Sequence, residues 1–136
     1  MARILVIDDD PDIRALLSTY FQGNGHQVFQ AEDGAHGIGM AAQRRPDVVI
    51  LDVDMPVLDG HSTLHVMKND PKMSAIPIVV LTSHTNDQTR ERLERAGCAE
   101  FLEKPFDLGR LNVAVTKSLK ASQAETLTTS TDKVRA

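Results

Sequence analysis

The sequence predicts an α/β fold, a doubly wound five-stranded parallel sheet with five helices. Three observations carry this reading. Five short apolar runs alternate with longer stretches whose apolar residues recur at helical spacing. Runs one, three and four are nearly continuous Ile, Leu and Val, as for strands covered on both faces, whereas runs two and five carry polar residues. A length of 136 residues suits one compact domain.

The first run, RILVI (3–7), leads into a helix. Asp10 is placed to cap it, Pro11 suits its first position, and Ile13, Leu16, Leu17 and Phe21 form its apolar face. Gly-Asn-Gly at 23–25 stops it before the second run, HQVFQA (26–31). The second helix, in DGAHGIGMAAQRR, follows Asp33 as a cap and is weakened by Gly37 and Gly39, at about 1 kcal/mol each relative to Ala. The third run, DVVIL (47–51), precedes a helix started by Asp59 and carrying Leu64 and Met67. After IPIVVL (76–81), Thr85 and Gln88 resemble a capping box for a fourth helix that offers mainly Leu93 and Ala96 to a core and ends at Gly97. AEFL (99–102) and a helix through Leu108, Leu111, Val115 and Leu119 complete the alternation. A domain over 1–120 is expected, with 121–136 as a polar tail or the start of a linker, because its apolar residues are too few to offset ordering.

Polar runs two and five suit the sheet edges. With right-handed crossovers the strand order is 2-1-3-4-5, which is flavodoxin-like and reverses between strands one and three. Ligands of such sheets bind at that reversal, beyond the carboxyl ends of the strands.

Composition excludes several alternatives. The formal net charge is −4 with scattered Lys and Arg, so no basic stripe fits a nucleic-acid backbone. Four Phe and one Tyr are too few for base-stacking platforms. No apolar run approaches the ~18 residues that span a bilayer, and the acidic MARILVIDDD is not a signal peptide. A lone Cys98, expected to pack at the entry to strand five, fits a reducing compartment, and the expected location is cytoplasmic.

Polar residues from four strand ends meet at one rim: Asp8, Asp9 and Asp10 after strand one, Asp52 after strand three, Thr82 and Ser83 after strand four, and Lys104 after strand five. Aspartates after strands commonly serve only as caps or turn residues, which is the reading for Asp10, Asp33 and Asp59. Carboxylates sharing a cleft raise one another's pKa unless a cation compensates. Oxygen ligands without a Cys or His cluster favour Mg²⁺. A carboxylate beside such an ion and a lysine is suited to accept a phosphoryl group. His61 and His65 lie four apart but lack an acidic partner motif and are read as surface residues.

VIDD (6–9), LDVDMPVLDG (51–60), VVLTS (79–83) and EKPF (103–106) resemble, in combination and in order, the signature blocks of the receiver domain of two-component response regulators, a CheY-like family. The resemblance covers about residues 2–120. It implies that Asp52, which precedes x-x-Met-Pro, is phosphorylated by a histidine kinase or a histidine phosphotransfer protein. It implies Mg²⁺ held by Asp9 directly, Asp8 through water, Asp52, and the backbone carbonyl of Asp54. Thr82 would bond the phosphoryl group, Lys104 would pair with it, and Phe101 would occupy the aromatic switch position. The Lys104–Pro105 bond is commonly cis in this family. Asp54 and His84 occupy the two variable positions that tune phosphoryl lifetime, and His84 is expected to make that lifetime sensitive to pH where imidazole titrates.

The resemblance further implies a signalling protein and not an enzyme, apart from Mg²⁺-dependent self-phosphorylation and self-dephosphorylation. Its output would be the surface of helix four, strand five and helix five, which would bind a downstream protein or relay phosphate, and where a second copy would pair if the domain dimerises. No direct nucleic-acid or membrane contact is expected. The polar tail favours a stand-alone receiver over one cut from a longer protein. The rival is a haloacid-dehalogenase-type phosphohydrolase with Asp52 as nucleophile and Asp54 as general acid. The D-x-D motif lies on the third strand instead of the first, however, Pro56 intrudes, and 136 residues leave little room for a capping domain. A flavodoxin-like cofactor carrier fails on the acidic first loop, and a nicotinamide site on the missing G-x-G-x-x-G.

Overall fold

A computed structural model describes residues 1–55 and 60–135, with side chains for 1–55 and 60–122. Its elements run β1 (Arg3–Ile7), α1 (Pro11–Gly23), β2 (Gln27–Ala31), α2 (Gly34–Arg44), β3 (Val48–Asp52), α3 (Gly60–Asn69), β4 (Ile78–Thr82), α4 (Asp87–Ala96), β5 (Glu100–Glu103) and α5 (Leu108–Arg135). The five strands are parallel in the order β2-β1-β3-β4-β5. The expected order holds, and the polar runs are the edges.

Alternation along the strands divides the core in two. Leu5, Ile7, Val49, Leu51, Ile78 and Val80 point to one face, where Ala41 of α2, Leu64 and Met67 of α3 and Leu93 of α4 cover them. Ile4, Val6, Val48, Ile50, Val79 and Leu81 point to the other, under Leu17 and Phe21 of α1 and Leu111, Ala114 and Val115 of α5. β3 and β4 are buried along their whole length, so the polar residues at their ends are carried to the rim by strands that cannot shift without exposing the core.

Local chemistry sets the helix boundaries. Asp10 caps α1 by accepting the Asp12 N–H, with Pro11 as first residue. Asp33 caps α2 by accepting from the His36 N–H. Gly97, at φ 91°, ends α4 in the left-handed conformation that favours glycine. The expected capping box at Thr85 is corrected by one residue: Asn86 is the cap, its side chain accepting from the Thr89 N–H at 2.9 Å. An Asn carbonyl serves this position at least as well as a Thr hydroxyl. The reading of Asp59 as the start of α3 lies outside the described residues. The backbone continues in α5 to Arg135, past the expected boundary at 120, and the sequence after Gly109 contains neither Gly nor Pro to stop it. Among the described residues no helix is long and apolar enough to cross a membrane.

One glycine in each of α2 and α3 serves close approach. A Cβ on Gly37 would fall on the buried Ile7 side chain, so this glycine trades helix propensity for contact between α2 and β1. A Cβ on Gly60 would strike the Cα of Val53 and sit 2.5 Å from the Asp52 carbonyl oxygen. Backbone atoms cannot yield as a flexible side chain does. Gly60→Ala is therefore expected to cost about 1–3 kcal/mol in urea unfolding; unchanged stability would show that α3 is free to move off the end of β3.

Candidate functional site

The strand ends deliver their side chains as follows. Asp52 is the last residue of β3, 3% exposed, beside Leu81 of β4. Asp8 follows β1 and is 2% exposed; its N–H is held by the Ala31 carbonyl at 3.1 Å, which continues the ladder with β2. Lys104 follows β5, and its N–H bonds the Thr82 carbonyl at 2.8 Å. From there its ammonium donates to Asp52 Oδ1 at 2.8 Å and lies 3.4 Å from Asp54 Oδ2. The Lys104–Pro105 bond is cis, as the resemblance implies.

Each acidic turn is closed by its own aspartate. Asp8 Oδ1 accepts the Asp10 N–H at 2.9 Å, and Asp52 Oδ1 accepts the Asp54 N–H at 2.8 Å. Asp8, Asp9 and Asp52 each bring a carboxylate oxygen within 4.8 Å of the others. Burial, opposed by the Asp10 hydrogen bond and reinforced by the Asp52 charge, pushes the Asp8 carboxyl up to about 7. Burial alone would lower the Lys104 pKa, but the hydrogen bond and charge of Asp52, joined by Asp54 and Asp8, raise it. Three close carboxylates with a single ammonium hydrogen-bonded to Asp52 leave surplus negative charge. An all-oxygen donor set of that kind fits a hard divalent cation of the Mg²⁺ type.

These carboxylates and Lys104 line one side of a cleft of about 460 Å³, whose other side is apolar and includes Ile13, Leu16 and Phe106. Not every expected participant faces it. The Thr82 hydroxyl is buried and bonded to the backbone of His84, accepting from its N–H at 3.0 Å and donating to its carbonyl at 3.2 Å. The His84 side chain is exposed. Phe101 is half-buried, with the Arg90 guanidinium 5.7 Å above its ring. His65 lies on the exposed face of α3 beside Asn69. Cys98 is packed against the core, and burial pushes its thiol up to about 11, which leaves it unreactive.

Arg14 is not foreseen from the sequence, which places Ser83 at the rim without a role. Arg14 Nη1 donates to the Asp8 carbonyl at 2.6 Å and pins the turn that carries the acids. Ser83 donates both its N–H and its hydroxyl to Asp54 Oδ2, each at 2.8 Å. Arg14 stands six residues from Asp8 on the first turns of α1, a spacing that reaches back over a β–α turn. Ser83 carries no local signal beyond its place after Thr82.

The buried acid has a consequence for stability. Asp8 titrates at about 7 in the folded chain against an ordinary 3.8, so folding takes up a proton between those values. The contribution of neutral Asp8 is fully present below about 3.8 and is lost as pH rises through about 7. Without divalent cations, Asp8→Asn is expected to raise the melting temperature at about pH 8 and to change it less at about pH 5. A variant no more stable than the parent at the higher pH would show that this charge does not destabilise the fold.

Residues 4–116 match the family model of the response regulator receiver domain. Protein PilH of Pseudomonas aeruginosa is 39% identical over 109 residues, covering 79% of this chain and 88% of PilH. The transcriptional regulatory protein PrrA of Mycobacterium tuberculosis is 38% identical over 135 residues, 97% of this chain but 55% of PrrA. The chain thus spans most of one relative and about half of the other. The structure of the chemotaxis protein CheY4 of Vibrio cholerae superposes with a TM-score of 0.82 at 30% identity, over 87% of this chain and 98% of CheY4. Strand order, acidic rim and sequence agree: the chain belongs to the response regulator receiver domain family of two-component signalling.

Proposed function

We propose that Asp52 is the phosphoacceptor and takes its phosphoryl group from a histidine kinase or a histidine phosphotransfer protein. The observation that carries this assignment is the position of Asp52: buried at the end of the central strand, 2.8 Å from the Lys104 ammonium and within 4.8 Å of the Asp8 and Asp9 carboxylates. Asp8, Asp9, Asp52 and the backbone carbonyl of Asp54 would hold Mg²⁺, which when bound offsets charge on the phosphoryl oxygens.

The Asp52 carboxylate attacks phosphorus, the P–N bond of the donor phosphohistidine breaks, and the imidazole leaves with the bond's electron pair. Lys104 fixes the attacking carboxylate and meets the incoming charge. The apolar side of the cleft, where Leu16 is 46% exposed, gives a donor protein a place to seat beside the acceptor. The same site would label itself from small phosphodonors and lose phosphate to water, with Asp54 and His84 tuning that loss.

Output follows from Thr82 and Phe101. Transfer of the Thr82 hydroxyl from the His84 backbone to the phosphoryl group would release the β4–α4 loop and open space for Phe101 to turn inward. α4 buries only Leu93 and is therefore the helix most readily displaced. The resulting change in the α4–β5–α5 surface is what a downstream protein, or a second copy, would read. Receivers act by binding other proteins, and the net charge of −4 supports neither nucleic acid nor an anionic membrane as a direct contact of this domain. A cytoplasmic site agrees with the lone, partly buried Cys98.

Incubation with Mg²⁺ and acetyl phosphate is expected to add one phosphoryl group to the parent and none to Asp52→Asn, read by intact mass. Equal labelling of both removes Asp52 from the acceptor position. His84→Ala is expected to change the rate at which phosphate is lost from the labelled protein; an identical rate for variant and parent would assign His84 to solvent.

A further inference from the structure

Asp54 does more than lend its backbone to the site. Its Oδ2 receives the Ser83 N–H and the Ser83 hydroxyl, both at 2.8 Å, and lies 3.4 Å from Lys104 Nζ. The two residues are 29 apart in sequence, one in the loop after β3 and the other at the end of β4. The same ammonium is 2.8 Å from Asp52 Oδ1, so the Asp54 anion and the acceptor carboxylate share one cation. Burial would raise the Asp54 carboxyl, but the two Ser83 bonds and Lys104 outweigh it and hold it below its usual range. An amide N–H, a hydroxyl and an ammonium converging on one oxygen is the donor set that also suits a phosphoryl oxygen.

We propose that Asp54 is an internal competitor for the phosphoryl group: its carboxylate occupies the Ser83 and Lys104 donors in the resting state and must release Ser83 before a phosphoryl group on Asp52 is fully held. This role rests on the reading of Asp52 as acceptor. A phosphoryl group brings three acceptor oxygens and between one and two negative charges. It cannot share Lys104 with the Asp54 carboxylate without like-charge repulsion. The resting clasp also ties the β3–α3 loop to the start of the β4–α4 loop, so its release frees the backbone that leads through His84 to α4. Asp54 is thereby a positioning residue, coupling occupancy at Asp52 to the loop that moves.

The test is calorimetric titration of the full chain with beryllofluoride in the presence of Mg²⁺, comparing the parent, Asp54→Asn, Ser83→Ala and the double variant. Asn keeps the shape and the backbone carbonyl but removes the charge. Loss of one charge-assisted clasp is expected to tighten binding about tenfold in Asp54→Asn. The gain should be clearly smaller in the Ser83→Ala background, where half of the clasp is already gone. Equal affinity of Asp54→Asn and the parent overturns the proposal. So does an undiminished gain without the Ser83 hydroxyl, since removal of charge alone would then account for it. Should Asp54→Asn not fold, Asp54→Ala is read by the same criteria. Asp52→Asn separates the two readings: a parent that binds no beryllofluoride, or binding that survives Asp52→Asn, overturns the acceptor assignment. Binding lost in Asp52→Asn with no gain in Asp54→Asn overturns only the competitor.

Discussion

Two buried carboxylates facing one another at the reversal point of a sheet are the constraint on which the rest of this structure depends. Asp8 and Asp52 are 2% and 3% exposed, and desolvating even one such charge without a partner is costly. Lys104 compensates Asp52 directly at 2.8 Å, and Asp8 answers by holding its proton to about pH 7. The resting site is therefore balanced only in part, and under the proposed function that imbalance would let it take up a cation and then a phosphoryl group. A fully neutralised cluster would be more stable and chemically inert.

The imbalance is tolerable because the scaffold beneath it is rigid. β1, β3 and β4 carry apolar residues on both faces, and their register cannot slip without turning one set of side chains into solvent. Gly60 lets α3 press against the Asp52 carbonyl, and Arg14 holds the Asp8 carbonyl from α1. Rigidity ends at the β4–α4 loop. Beyond it α4 is fixed by the buried Leu93, the partly buried Ala96 and the Arg90–Phe101 contact, a thinner attachment than those of α1 or α5. Under the proposed function, chemistry would sit on strand ends anchored in the core, and the response on the helix that buries least.

Periodicity and composition were enough to read the strands, their order and the converging rim, because burial on two faces writes itself directly into runs of Ile, Leu and Val. The caps at Asp10 and Asp33 were legible for the same reason: a cap is a local hydrogen bond. Adjacent candidates blur that signal, as with Thr85 and Asn86. What the sequence did not disclose are contacts made by tertiary proximity. Ser83 meets Asp54 only once β3 and β4 are paired, and Arg14 reaches the Asp8 carbonyl only once the turn has formed. Gly37 looked like a weak point in a helix because the Ile7 side chain that fills the space above it lies 30 residues earlier.

In the resting state the two hydroxyl side chains at the end of β4 are already satisfied. Thr82 bonds the His84 backbone, and Ser83 bonds Asp54. A phosphoryl group on the proposed acceptor Asp52 would therefore add few bonds in net and would exchange new ones for old. Exchange of hydrogen bonds of similar strength leaves a free-energy difference much smaller than the bonds themselves. That is the condition for a switch: two arrangements of one loop lie close enough in energy for a single covalent event to move the population from one to the other. Had Thr82 and Ser83 stood unpartnered, they would have destabilised the resting loop and biased it toward the active arrangement without any signal. Under the proposed function, donors satisfied in both states would keep the receiver off until the charge at Asp52 changes.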